Sequence, residues 1–183
     1  MKTLYLFLLL ILPTYIYSAP KTVLNYFQVF SKDGAEEVLK IESQDLKNGY
    51  IKFSPLQAEG FGEFVIWKRK DGQILAGITN FSCGPICGLS SIRFYLFPKN
   101  SLQYKEITTE VFSETEMNRV FDKKISEMKG KKLSDEYTLW LYLPKKGKNI
   151  EFGVMMDQTG TEKFIPLGVA NFDGTGFKIK EKR

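Results

Sequence analysis

The chain has 183 residues, of which 43% are hydrophobic and 26% charged, with a formal net charge of +5. That length and balance fit one globular domain, or two small ones tightly joined, and exclude a wholly disordered chain. Histidine is absent, which removes every Ser–His or Cys–His dyad, every His-ligated zinc site and histidine as a pH switch.

Residues 1–19 read as a signal peptide. Lys2 supplies a positive start, residues 4–12 are apolar up to Pro13, and Ser18 and Ala19 are small residues where cleavage would fall. The apolar run is shorter than the roughly 20 residues of a membrane span. The competing reading is an uncleaved anchor. No Cys lies near the cleavage region, so a bacterial lipoprotein anchor is not available. The expectation is a secreted or periplasmic protein with no membrane span after cleavage. Residues 20–183 would form a single domain, with half-units at 20–112 and 113–183 as the alternative division. Loss of the leader leaves 25 basic and 21 acidic residues.

Residues 22–31 are apolar at 23, 24, 26, 27, 29 and 30, which predicts a short buried helix with a strand as the rival. Asp33-Gly34 breaks it. Residues 35–48 read as a weak helical turn or irregular segment ending at Asn48-Gly49, a strong turn pair. Strands follow at 50–53, 63–69, 74–81 and 91–97. In the second of these, Phe64 and Ile66 fall on one face and Val65 and Trp67 on the other. Asp71-Gly72 predicts a hairpin turn, because Gly accepts positive φ without steric cost. The aromatic content of 14% suits these half-buried strands better than a helical bundle.

Ser113 and Glu116 form a capping box ahead of Met117, Val120, Phe121, Ile125 and Met128. That stripe predicts an amphipathic helix over 114–129, with Gly130 as its stop. The stripe reads as core, with a partner groove as the rival. Strands are expected again at 137–143, 150–156, 164–172 and 177–179. Pro166 and Gly168 place a bulge or an edge in the third of these. The fold class is α+β: an antiparallel meander sheet of about eight strands in two halves, covered by the 114–129 helix and the short N-terminal helix.

Cys83 and Cys87 flank Gly84-Pro85-Ile86 and are the only cysteines. A structural disulfide closing a turn between strands is the first reading, given an oxidising address. A redox-active pair is the second, although such pairs commonly use C-x-x-C at a helix start. A free metal-binding pair is the third, but two Cys alone do not complete a structural zinc site. No metal site, cofactor or catalytic residue is expected. Gly60-Phe61-Gly62 lacks the later Gly of a dinucleotide loop. Asp173-Gly174-Thr175-Gly176 departs from the Asp-Thr-Gly of aspartic proteases by an inserted Gly and reads as a turn. Asn80-Phe81-Ser82 is a glycosylation sequon. Glu59, Glu63 and Asp71 are candidates for a carboxylate pair of the glycosidase kind, and solvation is the plainer reading of each.

Lys123, Lys124, Lys129, Lys131, Lys132, Lys145, Lys146 and Lys148 face only Glu127, Asp135 and Glu136 over residues 123–148. One reading is a contact face for phosphate, anionic lipid or acidic glycan. The other is a solvated helix end plus a hairpin tip where Lys blocks edge pairing. No nucleic acid is expected, because interleaved Arg and aromatics are missing. The partner expectation is an envelope protein or an anionic surface met by Lys145, Lys146 and Lys148.

Trp67-x-Arg69-x-Asp71-Gly72, Cys83-Gly84-Pro85-x-Cys87, Phe94-Tyr95, Ile107-Thr108-x-Glu110-Val111 and Leu143-Pro144-x-x-Gly147-Lys148-x-Ile150 together resemble a pattern in uncharacterised exported bacterial proteins. The resemblance covers most of the chain after residue 19. It implies export and one domain unit, and it carries over no site residue. The functional expectation is an exported binding or envelope-associated protein. The alternatives are an enzyme using carboxylates or a redox-active Cys83–Cys87 pair, and a protein inhibitor presenting the cysteine loop.

Overall fold

The structure, a computed structural model, describes residues 21–33, 38–83, 87–128, 138–158 and 161–182. Residues 1–19, expected as a signal peptide, and Gly84-Pro85-Ile86, Lys129, Gly130, Lys131 and Lys132 lie outside the described residues.

Helix α1 (Val23–Asp33) forms where the apolar spacing predicts it. Val23, Tyr26, Phe27 and Phe30 recur at three- and four-residue steps, and all are buried. Six strands follow: β1 (Leu39–Asp45), β2 (Tyr50–Pro55), β3 (Gly60–Lys68), β4 (Ile74–Cys83), β5 (Cys87–Phe97) and β6 (Lys105–Glu106). They pair in sequence order into one sheet, antiparallel throughout. After α2 (Thr108–Val111) and α3 (Glu114–Met128) come β7 (Leu139–Tyr142), β8 (Ile150–Gln158), β9 (Thr161–Phe172) and β10 (Phe177–Glu181). These make a second, four-stranded antiparallel sheet in the order β10-β9-β8-β7.

The class is α+β as expected, but the strands divide into sheets of six and four rather than one of about eight. Part of the difference is β1, a strand where sequence reasoning expects a weak helical turn or irregular segment. Its register with β2 slips between Ile41 and Ser43, and an inserted residue destroys the two-residue period by which a strand is recognised. A second bulge lies between β8 and β9. Phe152 faces Gly168 and Gly153 faces Pro166, leaving Leu167 extra. Pro166 and Gly168 therefore mark a bulge, as expected, but in a central strand and not at an edge. A Cβ at Gly168 would strike the Phe152 ring.

Alternation along β3 organises the layers. Phe64 and Ile66 join the cluster under α1, with Phe27, Phe53, Ile78 and Phe97. Val65 and Trp67 join the cluster between the sheets, with Phe94, Leu141, Ile150, Phe152 and Ala170. The α3 stripe is core: Met117, Val120 and Ile125 are buried, while Phe121 and Met128 are half-buried against Val154 and Leu167. The Glu116 N–H donates to Ser113 Oγ at 3.2 Å. The Glu116 carboxylate turns to Arg119, at 2.7 and 2.8 Å, and does not reach back. Only half of the capping box is made. Ser113→Ala should cost about 1 kcal/mol in urea unfolding; an unchanged midpoint would show that solvent caps the helix equally well. No helix among the described residues is long and apolar enough to cross a membrane.

Candidate functional site

The face that β3 turns toward the second sheet carries Phe61, Glu63, Val65 and Trp67. Among the described residues Glu63 is the only buried acid, at 3% exposure. Its Oε1 accepts from the Tyr50 hydroxyl at 2.8 Å and its Oε2 from the Leu143 N–H at 2.9 Å. Burial pushes the carboxyl pKa up. The Tyr50 hydroxyl, the Leu143 N–H and, behind them, the charges of Lys145 and Lys52 pull it down without cancelling that rise. Burial and the neighbouring Glu63 likewise push the Tyr50 phenol up.

Leu143 directly follows β7 and leads into the turn of the β7–β8 hairpin. Two bonds dock this hairpin on the first sheet: Leu143 N–H to Glu63, and Trp67 Nε1–H to the Lys148 carbonyl at 3.0 Å. Pro144 starts the turn, and Gly147 completes it at φ +87°, a conformation that favours glycine. The docked hairpin leaves a cleft of about 850 Å³ beside Glu63. Trp140 and Tyr142 contribute from the face of β7 opposite Leu141. Phe61 contributes from β3.

Lysines ring this cleft. Lys52 Nζ sits 4.5 Å from the Phe61 ring centroid and Lys145 Nζ 5.6 Å from that of Tyr50, both within cation–π range. Lys146 and Lys148 follow on the hairpin. Among the described residues, none of these four has a carboxylate within 4.0 Å. The basic cluster read along the chain therefore splits in space. Lys123 and Lys124 are neutralised on α3 by Glu127 and Glu181, the shortest contact being 2.7 Å. Among the described residues Lys145, Lys146 and Lys148 make no ion pair, and they are joined by Lys52 from β2, which sequence reasoning missed. Glu151, the other acid lining the cleft, is paired with Lys182 at 2.7 Å.

Sequence reasoning also left Glu63 as one acid among several. One local signal distinguishes it: Phe61-Gly62-Glu63-Phe64-Val65-Ile66-Trp67 is apolar on both faces, so a carboxylate there has no solvated side. Glu59, Glu63 and Asp71 are not brought together. Glu59 lines a separate groove of about 480 Å³ on the α1 side, and Asp71 sits in the β3–β4 turn 3.4 Å from Arg69. Among the described residues three buried side-chain polar atoms lack a hydrogen-bond partner: Trp140 Nε1, Thr79 Oγ1 and Arg69 Nε, the last having only its ion-pair contact with Asp71. Thr79 is the residue facing Glu63 across the β3–β4 ladder.

Cys83 and Cys87 are disulfide-bonded, with an S–S distance of 2.07 Å. They face each other as the last pair of the β4–β5 ladder, and neither begins a helix that would stabilise a thiolate. Replacing both by Ser should lower stability by about 2 kcal/mol, since the closed loop is short. Denaturant unfolding measures this, and retained circular dichroism shows the fold intact. A loss of the folded state would mean that the bond holds more than its hairpin.

Asp173 Oδ1 accepts from Thr175 Oγ1 at 2.7 Å, from the Thr175 N–H at 2.9 Å and from the Gly176 N–H at 3.2 Å. These bonds, the Thr175 hydroxyl first, hold its pKa well below the usual carboxylate range. The segment is a self-bonded turn, as read from sequence. Asn80 of the sequon lies inside β4, paired on both sides, with Nδ2 donating to Ser91 Oγ at 3.2 Å. Among the described residues no group of three His, Cys, Asp or Glu side chains is placed to hold a metal ion. No family model, curated protein or solved structure matches the chain.

Proposed function

We propose that this is an exported binding protein whose ligand occupies the cleft between the β2–β3 strands and the β7–β8 hairpin. The observation that carries the reading is the convergence, on one aromatic-lined concavity, of four lysines from β2 and the β7–β8 hairpin turn, none of them ion-paired among the described residues. Unpaired ammonium groups around a cavity attract negative charge, so the ligand is anionic. The disulfide suits an oxidising compartment, and the leader at 1–19 supplies the motive for export.

A second reading, an enzyme using a carboxylate, draws on Glu63, because a buried carboxyl with a raised pKa in a cleft is a functional-site signal. Against it, both Glu63 oxygens already accept bonds from protein groups, which suits a docking role better than proton transfer. The inhibitor reading depends on the Cys83–Cys87 turn, whose tip lies outside the described residues.

The test is an amide NMR titration of the purified protein with a panel of carboxylates, phosphates, sulfates and neutral saccharides. At least one anion should shift resonances of Lys52, Phe61 and residues 140–149. Lys52→Ala/Lys145→Ala should abolish those shifts and flatten their salt dependence. A panel that leaves the cleft resonances unmoved would remove this function.

A further inference from the structure

We infer that the cleft takes an acidic saccharide, a hydroxyl-bearing ring compound with several separated carboxylate or sulfate groups; the inference rests on the binding reading above. Four features select this class from the anions that a lysine cluster admits.

The first is the kind and spacing of the cations. All four are Lys, and no Arg lines the cleft. Arginine supplies the planar fork that grips phosphate in two parallel bonds, whereas lysine is a flexible, strongly hydrated point charge. Lys52 comes from β2 and the others from the turn of the β7–β8 hairpin, and Lys52 and Lys145 stand over different rings, Phe61 and Tyr50. Point charges on flexible stems from two elements fit several singly charged groups better than one compact phosphate.

The second is the lining between the charges. Phe61 and Tyr142 are half-buried and line the cleft beside polar Asn149 and Glu63. The partly exposed Tyr142 ring offers a face to the C–H side of a sugar, while Phe61 is stacked on Phe81 and carries Lys52 over its ring. An amide such as Asn149, which is exposed, bonds hydroxyls in both directions. A purely electrostatic anion surface needs no aromatic wall.

The third is size. About 850 Å³ lies high in the range of roughly 300–1,000 Å³ for small-molecule sites, with room for more than one ring. The fourth concerns membranes. Among the described residues the exposed large apolar side chains are Val38, Leu46 and Leu56, and none of these lines the cleft. A lipid surface would find charge here but no apolar anchor beside it, and a single electrostatic signal holds a membrane only weakly.

The experiment is calorimetric and NMR titration of the purified protein with defined probes. These are a galacturonate oligomer, a sulfated chondroitin oligosaccharide, a neutral cello-oligosaccharide of equal length, pyrophosphate, phosphatidylglycerol vesicles and single-stranded DNA. One of the two acidic oligosaccharides should bind at the cleft at least about tenfold more tightly than the neutral oligomer and than pyrophosphate. Lys52→Ala/Lys145→Ala should weaken it by about tenfold or more. Tyr142→Ala should weaken it too, with both variants checked for parental melting behaviour. If pyrophosphate, vesicles or DNA bind the cleft as tightly, and Tyr142→Ala changes nothing, the site is a general anion surface. The saccharide inference then falls while the binding function stands. Equal affinity for the neutral oligomer also overturns it. If no probe moves the cleft resonances, both readings fall together.

Discussion

Trp67→Ala should lower the unfolding free energy by about 3–5 kcal/mol, among the largest single-residue effects in the molecule. Trp67 is 3% exposed and touches rings of both sheets. Its centroid lies 6.1 Å from Phe94 on the first sheet, and 6.1 Å from Phe172 and 5.2 Å from Phe177 on the second. Across β4, Gly77 has no side chain, and a Cβ there would come within 2.8 Å of the Trp67 ring. The missing side chain makes the space that the indole fills. Truncation removes the apolar burial, opens a cavity between two sheets that cannot easily collapse, and leaves the Lys148 carbonyl without its donor. Trp67→Phe separates these terms: it keeps most of the volume and loses the hydrogen bond, for a smaller cost of about 1–2 kcal/mol. Urea unfolding followed by circular dichroism measures both. A Trp67→Ala protein as stable as the parent would mean that the sheets do not share a core.

Glu63 should separate two substitutions that look alike in size. Glu63→Leu removes a buried carboxyl but strands the Tyr50 hydroxyl and the Leu143 N–H, both without solvent access through that side chain. At about 1–3 kcal/mol for each buried unsatisfied group, the variant should be destabilised by roughly 2–6 kcal/mol. Glu63→Gln should be nearly neutral, because its carbonyl accepts from Leu143 N–H and its amide donates to the Tyr50 oxygen. The two should also differ from the parent in pH dependence. The native carboxyl pKa is raised above an unfolded value of about 4.3, so between those two values the native state holds the extra proton. Stability therefore falls as pH rises through that window, and the loss is complete once the native carboxyl has ionised. Glu63→Gln has no such proton. Its stability relative to the parent should climb from below the unfolded pKa upward and level off above the native one. Parallel stability curves from pH 3 to pH 9 would show that the Glu63 pKa is not raised in the native state.

What the sequence determined by itself is local. The α1 and α3 stripes, the Ser113 cap, the Asp71-Gly72 hairpin, the self-bonded Asp173 turn and the Cys83–Cys87 pairing each depend on residues within a turn or two of one another. Propensity, periodicity and turn chemistry act at that range, and so those elements are legible. The β3 faces are legible for the same reason, because alternation needs only the strand.

What the tertiary structure decided is non-local. Whether the strands make one sheet or two depends on which edges meet, and β1 was hidden by a bulge that breaks its own period. Phe121, central in the α3 stripe, is only half-buried, since burial depends on the depth to which the second sheet rises against the helix. The site is the clearest case. Glu63 and Leu143 are 80 residues apart, and Lys52 reaches the hairpin lysines only because Trp67 and Glu63 pin that hairpin in place. A lysine is unpaired or neutralised according to what stacks beside it, and no short-range pattern records that. The same formal charge is ion-paired on α3 and, among the described residues, not at the cleft, because Coulomb attraction acts through space and falls with distance between atoms, not along the chain.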